Sequence, residues 1–265
     1  MIKKFFVIGN PIEHSFSPKL HNYWINQNNI KAIYDKKKLD IDNLENIILE
    51  IKDKKISGIN VTVPFKKAVI PYLDKLSPDA DQTQSVNTII LDNNNLVGHN
   101  TDIAGFARAI KDLNFKMEGK KILILGAGGV VPSIIFALRK MNALEIIISN
   151  RTKQKAENLK SQFEKLKVVD WGNLPDFDVV INATSLGLNN EAINLDFSNA
   201  GNNKLFYDVI YNPDLTNFLK EGKKLGNKTE NGKLMFIYQA IESFKLWHGI
   251  EPEINNETHK LLEND

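Results

Sequence analysis

The chain has no cysteine, so disulfides, thiol catalysis and thiolate metal sites are excluded, and a reducing, cytoplasmic compartment is expected. It has no surplus of one charge. Lys and Arg number 34 against 32 Asp and Glu, a net charge of +2, and the lysines are scattered, which argues against a nucleic-acid partner. No apolar run reaches the roughly 18 residues of a membrane span. The longest uncharged stretch considered, Ile122 to Leu138, has 17 residues, and Gly126, Gly128, Gly129 and Pro132 break it into a strand, a tight turn and a buried helix. The opening MIKKFFVIGNP is interrupted by Asn10 and Pro11 before signal-peptide length and reads as a strand. Among the five histidines no pair stands at metal-ligand spacing, so no metal is expected. SLGL, at 185–188, lacks the spacing of a serine nucleophile elbow, so a hydrolase is unsupported.

What is present is alternation. FFVIG, 18–28, AIYD, 41–51 and ISGINVTV exchange strand-like and amphipathic helical runs from the first residues, the pattern of βαβ units around a parallel sheet. VNTIILDNNNLVGHN then reads as a hairpin that closes this domain with an antiparallel edge. A helix over 102–113 leads to KKILILGAGG, and a second alternation runs through LEIIISN, 154–164, DVVINAT and KLFYDVIY. That half is a doubly wound sheet of its own. Helices over 232–248 and 254–263 have no strands after them and are expected to pack back on the first domain. At 265 residues, two domains are the better division.

GAGG at 126–129 follows an apolar strand and opens a helix, the context in which glycines let backbone N–H groups approach a pyrophosphate. The usual third small residue falls at Val131. The next strand ends in SNRT: Asn150, Arg151 and Thr152 offer donors and a guanidinium, with no carboxylate to repel a 2′-phosphate. NADP is thereby favoured over NAD, unless Arg151 is only a solvated cap.

In open α/β sheets ligands sit beyond the carboxyl ends of the strands. Ser15, Ser17, Asn60, Thr62, Lys66, Asn87 and the run Asn100, Thr101, Asp102 all fall at such places in the first domain. Hydroxyls, amides, one lysine and one aspartate suit a ligand with several hydroxyls and a carboxylate. Each also has a plainer explanation: Ser17 as a helix cap before Pro18, Asn60 and Asn87 as turn residues, Lys66 as an exposed lysine opening a short helix after Pro64. In NVTVPFK, alternation puts Asn60 and Thr62 on one face and Val61 and Val63 on the other.

GNPIEHSFSPKLHN, NVTVPFK, SVNTI, NTD, LGAGG, NRT, NATSLGL, DVIYNP and GKLMFIYQAIESFKLW, in this order over nearly the whole chain, resemble the shikimate/quinate dehydrogenase family. NVTVPFK with a later NTD is highly specific; GAGG alone is not. The resemblance implies two α/β domains with a cleft between them. One is a substrate domain (1–102, completed by 233–265), the other a Rossmann-type NADP domain (103–232). It implies NADPH-dependent reversible reduction of 3-dehydroshikimate to shikimate in aromatic amino acid biosynthesis, by a monomer or homodimer. Lys66 and Asp102 would carry the proton chemistry. Ser15, Ser17, Asn60, Thr62, Lys66, Asn87, Asp102, Tyr211 and Gln239 would bind substrate. Gly126, Ala127, Gly128, Gly129, Asn150, Arg151, Thr152, Thr184 and Gly232 would bind cofactor. The sequence departs from the family at Val130-Val131-Pro132 and at Leu188, where methionine is commoner. Quinate or NAD use, or a binding protein without turnover, are the alternatives; the last would be expected to lack Lys66 or Asp102.

Overall fold

The computed structural model describes residues 2–189 and 191–263. It divides into two compact units, Met1–Gly105 with Ile237–Asp265, and Phe106–Phe236. In the first, the strands are β1 (Lys3–Gly9), β2 (Ala32–Lys38), β3 (Gly58–Val61), β4 (Lys75–Leu76), β5 (Thr88–Asp92) and β6 (Asn95–His99). They form one six-stranded sheet in the order β2-β1-β3-β5-β6-β4. β1 runs parallel to β2 and β3, whereas β5 is antiparallel to both β3 and β6. The expected hairpin is therefore present, but it is not the edge. The two-residue β4 pairs with β6 outside it.

The helices of this unit are α1 (Ser17–Gln27), α2 (Leu44–Lys52) and α3 (Pro78–Thr83), with α4 (Asp102–Asp112) leaving it. Side-chain alternation decides which strand residues meet which helix. Ile8, Ile59, Val61 and Ile89 share a core with Leu44, Ile47, Ile48 and Ile51 of α2. On the other face Phe5 and Tyr34 meet the aromatic rings of α1 and of the last long helix. Two expected helices differ. The segment beginning at Ile41 starts as a short 3-10 turn before α2, and 63–69 form turns ending in a 3-10 turn at Ile70–Tyr72. β3 ends at Val61, so Val63 does not continue its alternation and lies exposed.

The second unit is built from β7 (Lys121–Leu125), α5 (Val131–Lys140), β8 (Glu145–Ser149), α6 (Lys153–Gln162), β9 (Lys167–Val169), β10 (Val179–Asn182), β11 (Leu205–Asp208), α7 (Asn217–Lys224) and β12 (Lys228–Glu230). Its sheet runs β12-β11-β10-β7-β8-β9, parallel throughout. The strand order reverses between β7 and β10, the switch point at which such sheets bind ligands. One face packs Phe177, Phe197, Phe206 and Phe218 with Leu123 and Leu125. The short edge strands β9 and β12 carry too little apolar pattern to stand out in the sequence.

The chain returns to the first unit within α8 (Lys233–His248) and ends with α9 (Asn256–Lys260), shorter than the expected 254–263. α8 buries Ile237, Ala240, Ile241 and Phe244. Its Trp247 lies so close to β3 that a Cβ on Gly58 would sit 2.4 Å from the indole nitrogen, which explains a glycine there. Among the described residues no helix is long and apolar enough to cross a membrane.

Candidate active site

β3 delivers the chain to Thr62 and Pro64, and the turn that follows aims Lys66 back toward the start of α4. Lys66 Nζ donates to Asp102 Oδ2 at 2.6 Å, with side chains only 12% and 8% exposed. The plainer reading of Lys66 as a solvated lysine is thus excluded. Asp102 opens α4, where a carboxylate is favoured by the helix N-terminus. Its second oxygen, Oδ1, accepts from Asn87 Nδ2 at 3.0 Å.

Asn87 is buried and held from several sides. Its Oδ1 accepts from Thr101 N at 2.8 Å and from the Thr101 and Thr88 hydroxyls at 3.2 and 3.1 Å. Its Nδ2 also donates to Thr101 Oγ1 at 2.8 Å and reaches Gln239 Oε1 at 3.5 Å, the outer limit of a hydrogen bond. Gln239, on α8, therefore joins this cluster although it is distant in sequence.

Asn60 is buried beside Asn87. Its Oδ1 accepts from the Tyr34 hydroxyl at 2.6 Å, and its Nδ2 donates to Asn87 O, Thr88 Oγ1 and Ser243 Oγ, each at 3.0 Å. Both ends of its amide are engaged by protein, so the polar residue in this strand ties β3 to β2, to β5 and to α8. The ring of Tyr34 stacks at 4.2 Å on His21, and burial pushes its hydroxyl well above the usual tyrosine range. Burial first, and the charge of His248 second, push His21 down to about 3.

Ser15 and Ser17 occupy the loop after β1. Ser17 N donates to Ser15 Oγ at 3.3 Å, and Ser17 is buried at the start of α1. Glu13 fastens this loop by accepting from Ile12 N and from Lys38 Nζ, each at 2.9 Å. The bond to Lys38, followed by backbone N–H groups, lowers the Glu13 carboxyl to about 2. Thr62 is half-buried beside Gly9, where an added Cβ would lie 2.5 Å from its methyl group. Sequence reasoning did not single out Tyr34, Thr88 or Ser243. Ser243 had a legible signal, since it stands one helical turn after Gln239 and so shares its face.

In the second unit, β7 runs into Gly126, whose φ of +111° suits glycine and whose Cβ would lie 2.7 Å from Ala183 O after β10. Ala127 is half-buried, while Gly128 and Gly129 are exposed, and a Cβ on Gly128 would meet only Ala183 O at 3.8 Å. This bare backbone before α5 is a cradle that fits a pyrophosphate. The helix opens only at Val131, which is fully buried against the sheet. Asn150, Arg151 and Thr152 follow β8; Asn150 Nδ2 donates to Thr152 O at 2.7 Å, and Arg151 and Thr152 are exposed.

Thr184 is committed elsewhere: its hydroxyl donates to Asn182 Oδ1 at 2.7 Å and accepts from Leu186 N at 3.1 Å. Asn182 also donates to buried Asp208 at 3.0 Å, which accepts from Thr216 Oγ1 at 2.6 Å and Ile210 N at 3.0 Å. Burial raises the Asp208 carboxyl to about 6 against these bonds. Gly232 is required by packing, since a Cβ there would meet Val209 O at 2.2 Å. Tyr211 belongs to this unit, whereas the other proposed substrate residues belong to the first, and its ring stacks on Phe236 at 4.4 Å.

Residues 7–89 match the shikimate dehydrogenase substrate-binding domain, and 107–214 match shikimate/quinate 5-dehydrogenase. A shikimate dehydrogenase (NADP+) of Pelagibacter ubique is 53% identical over 264 residues, covering 99% of this chain and 100% of that protein. The structure of shikimate dehydrogenase from Aquifex aeolicus superposes with a TM-score of 0.90 at 34% identity, over 99% of this chain and 98% of that one. Shikimate 5-dehydrogenase from Thermus thermophilus, in complex with NADP(H) and shikimate, gives 0.88 at 31% identity, over 98% and 97%. Relatives matched over nearly the whole chain, together with the two family models, place the protein among NADP-dependent oxidoreductases acting on a CH–OH group. Within that class, the chain belongs to the shikimate dehydrogenase family.

Proposed function

We propose that the protein catalyses the reversible, NADP-dependent reduction of 3-dehydroshikimate to shikimate. Family membership supports the reaction, and the single observation that supports the chemistry is the buried Lys66–Asp102 pair held by Asn87. NADPH, when bound, supplies the hydride that reduces the ketone carbon. The Gly126–Gly129 backbone would hold its pyrophosphate, and Arg151, with Asn150 and Thr152, its 2′-phosphate. Thr184, whose methyl group lies beside Gly126, supports that turn, and Gly232 holds its own loop against Val209.

Lys66 carries the proton. As the ketone gains negative charge on oxygen, the ammonium stabilises it and donates a proton to give the alcohol. In the oxidative direction the neutral amine accepts the hydroxyl proton. Asp102 orients Lys66 and offers its carboxylate to a substrate hydroxyl. Ser15, Ser17, Thr62, Asn87, Gln239 and Tyr211 contribute the remaining polar contacts, and Asn60 fixes Asn87 rather than reaching the ligand.

The test is direct. Mixing the purified protein with shikimate and NADP+ should raise the NADPH absorbance band, with far slower reaction when NAD+ or quinate is substituted. A folded protein giving no absorbance change with shikimate and either cofactor would overturn the proposal.

A further inference from the structure

Behind the Lys66–Asp102 pair lies a group of hydroxyls that touch neither residue. Ser243, fully buried on α8, receives Asn60 Nδ2 at 3.0 Å and donates to Gln239 O at 3.0 Å in its own helix. Its oxygen is also 2.7 Å from Thr88 Oγ1 and 3.2 Å from Thr101 Oγ1. Both threonines bond in turn to Asn87 Oδ1, and Asn87 Nδ2 donates to Asp102. One small hydroxyl thus ties α8 to β3, to β5 and to the start of α4 at a point shielded from solvent.

The orientation of Asn87 depends on this arrangement. With its Oδ1 occupied by the Thr101 backbone amide and two hydroxyls, its Nδ2 is left to face Asp102. Removing the Ser243 oxygen takes one acceptor from Asn60 Nδ2 and leaves the Thr88 and Thr101 hydroxyls, with one proton each, to share Asn87 Oδ1 alone. Satisfying them again requires hydroxyl rotations that compete for Asn87, and a buried network with one member missing is the least tolerant kind.

We propose that Ser243 is a positioning residue of the reaction, acting with Thr88 through Asn87 on the Asp102 carboxylate that holds Lys66. The proposal rests on the assignment of Lys66 and Asp102 to proton transfer. A hydroxyl that only fastened α8 would affect stability alone; one that sets Asp102 must change turnover in the folded enzyme, because small displacements at a proton-transfer site are costly in rate.

The experiment compares Ser243→Ala and Thr88→Val, each of which deletes one oxygen and nearly preserves shape, at a temperature well below unfolding. Each should lower kcat roughly three- to thirtyfold while leaving the KM for NADPH within about twofold. In an Asn87→Ala background the effect of Ser243→Ala should shrink to less than about twofold, since the route to Asp102 is already cut. Shikimate binding without cofactor, followed by calorimetry, should weaken far less than kcat falls. Lower melting temperatures with unchanged kcat in the folded variants would overturn the proposal, as would a full effect of Ser243→Ala persisting without Asn87. Lys66→Ala in parallel keeps the two readings apart. Lost turnover there with normal Ser243→Ala turnover refutes only the positioning role, whereas normal turnover in Lys66→Ala refutes the proton assignment beneath it.

Discussion

Lys66 Nζ lies 2.6 Å from Asp102 Oδ2, and the carboxylate's other oxygen accepts from Asn87, so each oxygen has its own donor. A lysine held this way has one orientation to offer a ligand.

Lys66→Ala removes the proton carrier and leaves the surrounding amides in place. The expected result is a kcat lower by about 10² to 10⁴, with a much smaller change in the shikimate KM. Steady-state kinetics in both directions provide the check. A near-normal kcat with only KM raised would show that this lysine binds substrate without handling the proton.

Asp102→Asn is a sharper perturbation than its size suggests. An amide presents an oxygen to only one of the two donors, so either Lys66 or Asn87 faces an NH₂ group. Breaking a buried pair from one side costs on the order of 3–5 kcal/mol. Turnover should fall, shikimate should bind more weakly, and the melting temperature should drop. Unchanged stability and binding in calorimetry and thermal unfolding would contradict the assigned geometry.

Arg151 is exposed in the loop that follows β8, where residues 150–152 include no carboxylate. Losing a charge-assisted contact to phosphate costs about 1.5–3 kcal/mol, or roughly ten- to a hundredfold in binding. Arg151→Ala should weaken NADP by that factor and leave NAD nearly unchanged, measured as separate dissociation constants. Equal use of both cofactors by the unaltered protein would remove the basis for this role.

His21 has neither ring nitrogen hydrogen-bonded and is pushed down to about 3 by burial. Its folded pKa lies below the unfolded value of about 6.5, so the unfolded chain binds the proton more tightly. Its stabilising contribution is present above about pH 6.5 and is lost as pH falls toward 3, by up to roughly 5 kcal/mol. Asp208, raised to about 6, acts in the opposite sense: its contribution is complete below its unfolded pKa and is lost as pH rises through about 6. His21→Phe isolates the histidine. Denaturant unfolding should show a flatter loss of stability between about pH 6.5 and 4 in the variant than in the unaltered protein. Parallel curves would exclude this contribution.

Much of this was legible in the residues because it is local. Strand and helix alternation marked both sheets, the glycines at 126–129 marked a turn against a second strand, and SNRT marked the end of β8. Local patterns also misled where tertiary contacts took over. Phe65 and Lys66 read as the start of a helix, yet Val86 N bonds to Lys66 O at 2.8 Å, and Phe65 is drawn into the α2 core. The hairpin read as an edge because β4, two residues long, carries no pattern of its own.

By itself the sequence determined the periodicities, the glycines where backbone approaches backbone, and the chemical groups available to the site. These follow from short-range sterics and from which side chains water rejects. Only the tertiary structure decided what those groups do to one another. Asn60, whose polarity in a strand resembled a substrate contact, is committed to Tyr34, Thr88 and Ser243. Ser243 reaches it across a separation of 183 residues. Hydrogen bonds form between neighbours in space, and burial makes each buried polar atom find its partner there, wherever along the chain that partner stands.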